Sequence, residues 1–214
     1  MRTVEVMQGT EEWFRARLGI PTASRFADVM ATIKTGEAAA RRNYRAQLVV
    51  ERLTGRRTEM FVSQAMKDGT EREPFARIEI EARLGRIISQ PGFVKHDVIE
   101  AGASPDGMID ASIGVEIKCP IPATHFDYMS LPGGACPPDY RWQVQGAMWI
   151  TGASTWVFAS FNPEFPEGSR LLLRWVKRND ADIKALEDGA SQFIKELDDA
   201  ERFVRNYTEA SNAQ

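Results

Sequence analysis

The stretch SPDGMIDASIGVEIKCP, residues 104–120, decides how this chain is read. Its turn residues and β-branched second half describe two short strands joined by a tight connection. Yet Asp106, Glu116 and Lys118 fall inside it. Glu116 and Lys118 stand two positions apart, so on a strand they share one face, while Val115, Ile117 and Cys119 take the other. Asp106 follows Pro105 at a strand end, and a hairpin brings it alongside the other two. Two carboxylates at one point repel, and each raises the pKa of the other unless a positive group stands between them. Hard oxygen donors suit Mg²⁺ or Mn²⁺, which bind through one or two carboxylates together with phosphate oxygens. With a lysine beside them, the chemistry implied is metal-assisted phosphodiester hydrolysis. An amphipathic edge strand with a surface Glu–Lys pair would carry the same residues without any such role.

Outward from this hairpin, the pattern alternates helix and strand. Residues 10 to 19 read as a short helix with Thr10 as N-cap and Gly19 as stop, and PTASRFADVMATI restarts a helix after Pro21. Residues 38 to 53 are amphipathic, with arginines at 41, 42, 45 and 52 on the polar face. Residues 63 to 84 are helical with Pro74 as a local interruption. GFVKHDVI, VIEAGASPDGMI and GVEIKCP read as a meander. Residues 138 to 152 form a helix, STWVFASFNP and RLLLRWVKR two more strands, and residues 179 to 204 a last amphipathic helix begun by NDAD. The tail after about residue 207 is expected to fray. This order predicts an α/β fold, a mixed central β-sheet flanked by helices, in one domain over residues 1–214.

Composition narrows the class. The 214 residues are 43% hydrophobic and 27% charged with a formal net charge of −3, which suits a folded globular chain and excludes a protein coated in positive charge. No apolar run reaches the roughly 20 residues that a membrane span requires. Cys119 and Cys136 are the only cysteines and no secretory segment follows Met1, so a cytoplasmic location is expected. His96, Cys119, His125 and Cys136 supply enough ligands for one zinc site, but their spacing follows no zinc motif.

A Pro-Asp pair followed ten positions later by E-x-K resembles the signature of the PD-(D/E)XK nuclease superfamily. SPDG with VEIKCP is similar to its phage lambda exonuclease, or YqaJ-type viral recombinase, branch. WFRARLGIPTAS (residues 13–24) resembles that branch's N-terminal motif, GTEREPFAR (69–77) its G-x-x-x-E helix, and YRWQVQGAMWITG (140–152) its Q-x-Q helix. These matches run in the family's order across roughly residues 8 to 160.

The resemblance implies a restriction-endonuclease-like core and a Mg²⁺-dependent exonuclease, with Mn²⁺ able to substitute and two ions per site. It would digest one strand of linear double-stranded DNA from the 5′ end, release mononucleotides and leave a 3′ overhang for recombination by single-strand annealing. Asp106, Glu116 and Glu73, with the carbonyl of Ile117, correspond to metal ligands, the last assigned here to a free strand edge, and Lys118 to the group that orients or activates water. Arg17 and Ser24, joined by Ser104 and Gln143, correspond to the 5′-phosphate site, a task suited to a guanidinium fork and a hydroxyl at a helix start. Gln143 is favoured over Gln145, which faces another side of the helix. Met66 corresponds to an apolar wedge between separating strands. The family forms a homotrimeric ring around DNA and works with a single-strand annealing protein, which implies a phage or prophage origin. Arg41, Arg42, Arg45, Arg52, Arg56 and Arg57 are candidates to line the DNA channel. A catalytically inactive end-binding scaffold and a site-specific endonuclease of the same superfamily are the alternatives.

Overall fold

A computed structural model describes residues 1–59 and 62–207; the expectation of a frayed tail falls outside them. Helix α1 (Glu11–Arg17) starts where Thr10 accepts the Trp13 N–H. A 3₁₀ turn (Ala23–Arg25) leads into the single-turn α2 (Phe26–Val29), so PTASRFADVMATI forms far less helix than its pattern suggests. Helix α3 (Ala39–Thr54) closes on a left-handed Gly55, and α4 (Gln64–Leu84) runs from the Ser63 cap to a left-handed Gly85. Each such N-cap hydrogen bond is worth about 1 kcal/mol. Pro74 sits inside α4, where it leaves the Thr70 carbonyl without an N–H donor; Thr70 is exposed, so water can meet that carbonyl.

The expected meander divides into two sheets. Strands β1 (Arg2–Val4), β2 (Phe93–Lys95) and β3 (Gly102–Ala103) pair antiparallel in that order. Strands β4 (Gly107–Asp110), β5 (Ile113–Lys118), β6 (Thr155–Phe161) and β7 (Leu171–Lys177) form the second, mixed sheet, in which β5 and β6 run parallel and the outer pairs antiparallel. Helix α5 (Pro122–Met129) and α6 (Arg141–Thr151) lie in the β5–β6 crossover, and α7 (Asp180–Arg205) follows β7, capped by Asn179.

Period-two alternation in β5 and β6 divides the core. Val115, Ile117, Val157, Ala159 and Phe161 pack against Ala76 and Ile80 of α4. Trp156 and Phe158 point the other way, into a larger cluster with Phe26, Tyr44, Leu48, Met148, Phe193 and Leu197 from α2, α3, α6 and α7. Full burial of each large apolar side chain contributes roughly 2–3 kcal/mol. The four-stranded sheet is therefore clamped between α4 on one face and α6 with α7 on the other.

Acidic partners, largely on α7, overturn the expectation for three of the six arginines. Arg41 and Arg45 pair with Glu37 and Glu196, and Arg52 bridges Asp198, Glu201 and Glu100. These cations fasten α3 to α7 and to neighbouring loops, which removes them from any DNA-lining role; Arg42, Arg56 and Arg57 remain exposed.

Candidate active site

Helix α4 passes close to the end of β5 at Gly69, where a Cβ would be in van der Waals contact, 3.4 Å, with the Cys119 carbonyl. Four residues later, about one helical turn, Glu73 lies beside the end of β5. Strand β5 is a central strand, correcting the edge-strand reading, but its neighbour β4 begins only at Gly107, opposite Val115. The backbone of Ile117 is thus left unpaired on the β4 side, and its N–H donates to Asp106 Oδ2 at 2.7 Å. Within a strand the N–H and C=O of one residue point to the same side, so the Ile117 carbonyl also faces the Asp106 side.

Glu116 is almost wholly buried on the opposite face of β5 from Val115 and Ile117. Its Oε1 accepts from Lys118 Nζ at 2.7 Å and from the Gln143 side-chain amide. Gln145 turns away, donating to the Lys177 carbonyl and accepting the Asn179 N–H, where it locks the β7–α7 junction. Lys118 is also 4.9 Å from the centre of the Tyr140 ring, and Tyr140 is held by a 3.0 Å hydroxyl contact with Tyr128.

The three carboxylates share one electrostatic field. Burial raises the Asp106 pKa well above the ordinary carboxylate value, and Glu116 and Glu73 push it further against the pull of Lys118 and the Ile117 N–H. Burial also raises Glu73, opposed by its Arg77 partner at 2.9 Å and reinforced by Glu116. For Lys118 burial works downward, but attraction to Glu116 and Asp106 prevails and its pKa is raised. The ammonium is therefore held charged beside Glu116.

Among the described residues no three His, Cys, Asp or Glu side chains stand close enough together to hold a metal ion. The reason is visible in the partners: Glu73 reaches the site from the α4 side and is tied to Arg77, while Glu116 is taken by Lys118 and Gln143. The donor set still fits a hard divalent cation, because Glu116 and Glu73 add to the cost of ionising Asp106, Glu116 adds to that of Glu73, and a bound positive charge would relieve both.

A cavity of about 220 Å³ joins this cluster to the residues expected to hold a phosphate: Arg17, Ser24, Ser104, Asp106, Glu116, Lys118 and Gln143 all line it. Ser104 Oγ accepts from Trp13 Nε1 at 2.9 Å and from Arg17 at 3.5 Å. Arg17 lies over the Trp13 ring at 3.9 Å, and burial lowers its pKa to about 10, which leaves it cationic at neutral pH. Ser24 Oγ is 3.3 Å from Thr22 Oγ1. Gln8, which no sequence signal marks, donates to the carbonyls of Pro91 and Pro105 and fixes the loop ahead of Asp106. Glu73 does not line the cavity, and Met66 stands exposed in the first turn of α4. His96 and His125 lie elsewhere, the first against Trp149 and the second buried between Ser160 and the Ser169 carbonyl.

The sequence profile of the YqaJ-like viral recombinase domain matches residues 12–154, two-thirds of the chain. The chain belongs to this family. Its YqaJ-like fold superimposes on the crystal structure of LHK-Exo, an alkaline exonuclease from Laribacter hongkongensis, with a TM-score of 0.83 and 38% identity, covering 92% of this chain and 96% of that one. LHK-Exo in complex with dAMP gives 0.84 at the same identity and coverage. A phage-related exonuclease from Haemophilus somnus 129PT shares the fold alone, at a TM-score of 0.72 and 12% identity over 88% of this chain and 96% of that one. ExoD of Escherichia coli (strain K12) is 31% identical over 62 residues, 28% of this chain and 69% of ExoD. Family membership and the likeness to LHK-Exo support a YqaJ-like nuclease of the phage exonuclease type.

Proposed function

We propose that the protein is a Mg²⁺-dependent exonuclease that degrades one strand of linear double-stranded DNA from its 5′ end, releasing mononucleotides and leaving a 3′ overhang. The observation that carries this reading is the single cavity in which Arg17, Ser24, Ser104 and Gln143 stand beside Asp106, Glu116 and Lys118. A terminal phosphate held by Arg17 and the two serines would set the next phosphate in the strand against the carboxylates, so the unit removed is one nucleotide. The Trp13 ring beneath Arg17 and the Ser104 hydroxyl fix the guanidinium in place before substrate arrives.

Asp106, Glu116, Glu73 and the Ile117 carbonyl would hold the divalent cations, Mg²⁺ with Mn²⁺ as a substitute and two per site, which when bound supply Lewis acidity at the phosphate. Lys118 keeps its proton and places a positive charge where negative charge develops on the phosphoryl oxygens. Gln143 restrains Glu116 from the α6 side. Met66, exposed at the start of α4, would be the apolar wedge that meets the duplex.

Residues 1–214 would form one nuclease domain that assembles as a homotrimeric ring and passes its overhang to a single-strand annealing protein, in the host cytoplasm during phage-type recombination. Among the described residues no helix is long and apolar enough to cross a membrane. Two substrates test the reaction. Linear duplex with Mg²⁺ should release mononucleotides while covalently closed circles survive. Cut circles would establish an endonuclease instead, and binding of linear ends without release would establish an inactive scaffold.

A further inference from the structure

A second cavity, about 270 Å³, adjoins the first and shares Trp13, Arg17 and Ser24 with it, but neither Asp106 nor Glu116 borders it. Its walls combine aliphatic Ile20 and Leu48 with three guanidiniums, each laid over an aromatic ring: Arg17 over Trp13 at 3.9 Å, Arg25 over Tyr44 at 4.3 Å and Arg57 over Phe14 at 3.9 Å. Arg25 is paired with Asp28. Glu51, the carboxylate in the lining, is already engaged by the Gly19 N–H at 3.1 Å, the Gln47 amide at 2.9 Å and the Thr58 N–H at 3.4 Å. Arg17 and Arg57 both line this space, where burial first, and then repulsion from Arg57, holds the Arg17 pKa down. Thr58 Oγ1 is buried there and has no hydrogen-bond partner among the described residues.

Repelling cations and an unused hydroxyl favour an oxyanion between them, while aromatic and aliphatic walls favour a flat apolar body. A 5′-mononucleotide carries both. Resting on the exonuclease reading above, we infer that this second cavity is a product site, which takes the released 5′-mononucleotide by its phosphate. Hydrolysis adds water across the phosphodiester, leaving a mononucleotide whose 5′-phosphate still sits at Arg17 and a new 5′-phosphate on the strand that needs the same place. Arg17 and Ser24 belong to both cavities, so the product phosphate exchanges Ser104 and Gln143 for Arg57 and Thr58 without release from Arg17. The strand then advances into the vacated position.

Calorimetric titration of dAMP and of deoxyadenosine onto the full chain, in EDTA and without DNA, tests this. dAMP should bind, deoxyadenosine should bind at least tenfold more weakly, and Arg57→Ala and Thr58→Val should each weaken dAMP several-fold; Lys118→Ala should leave its affinity within about twofold. Arg57 is exposed and Thr58→Val removes only an unpaired hydroxyl, so neither change threatens folding. The inference fails if wild type does not bind dAMP, if both ligands bind alike, or if Lys118→Ala weakens dAMP while Arg57→Ala does not. The titration involves no turnover, so a failure to hydrolyse linear duplex would overturn the exonuclease reading separately.

Discussion

Asp106→Asn should stabilise the protein in EDTA and remove its stabilisation by Mg²⁺. In the fold the carboxylate borders a cavity but is hemmed in by protein, and burial, Glu116 and Glu73 all oppose its charge, while Lys118 and the Ile117 N–H favour it without prevailing. Asparagine keeps an acceptor for the 2.7 Å bond from Ile117 and deletes the charge. The sign follows from linkage: a folded-state pKa above the unfolded value near 3.9 means that ionised Asp106 costs stability, fully so at pH above the folded pKa and not at all below about 3.9. At pH 8 the substitution should therefore gain about 1–2 kcal/mol, the range typical of relieving strain at a functional site. In a chain of this length that is a rise in Tm of roughly 2–8 °C. Wild type with Mg²⁺ at a hundred times its Kd should gain about 2.7 kcal/mol by mass action, and the variant almost nothing. Scanning calorimetry of both proteins in EDTA and in Mg²⁺ reads all four values. An Asp106→Asn protein that melts below wild type in EDTA, or that gains as much from Mg²⁺, would refute the claim that these carboxylates are held together for a cation.

Three further outcomes follow from the same geometry. Lys118→Ala should abolish turnover while DNA and metal binding persist, because the ammonium acts on the reacting phosphate; a rate within a few-fold of wild type removes it from the mechanism. Arg17→Ala should reduce the preference for 5′-phosphorylated over 5′-hydroxyl ends, measured as the ratio of initial rates, and an unchanged ratio rejects the anchoring role. Gly146→Ala should lower Tm by about 4–8 °C, since the added Cβ would come within 2.2 Å of the fully buried Phe26 ring; overpacking of about 3 kcal/mol outweighs the roughly 1 kcal/mol gained in helix propensity. A higher Tm would show that the α2–α6 contact is slack.

Local signals carried much of the fold. The Thr10, Ser63 and Asn179 caps and the left-handed Gly55, Gly85 and Gly152 stand where capping chemistry puts them, and β6 and β7 follow their alternating patterns. Long-range pairing was not legible. β1 is three residues whose partner lies some ninety positions away, and the central place of β5 depends on a strand that comes after two intervening helices. α5 is short and begins at proline, which hides it among turn residues. The α3 arginines looked free because the acids that pair with them lie about 150 positions further on, in α7. At the site, strand alternation put Glu116 and Lys118 on one face and the hairpin put Asp106 beside them, whereas Glu73, Arg17 and Ser24 were separable from ordinary surface residues only by their motifs. Gln8 sent no signal, since its task is to hold two carbonyls that the chain brings near it only on folding.

Linear duplex labelled at either the 5′ or the 3′ end, incubated with Mg²⁺ and sampled over time, tests the central claim most directly. Labelled mononucleotide should appear at once from the 5′-labelled strand, with the 3′ label retained in shortening single strands. Early loss of the 3′ label, or no mononucleotide from either end, would contradict it.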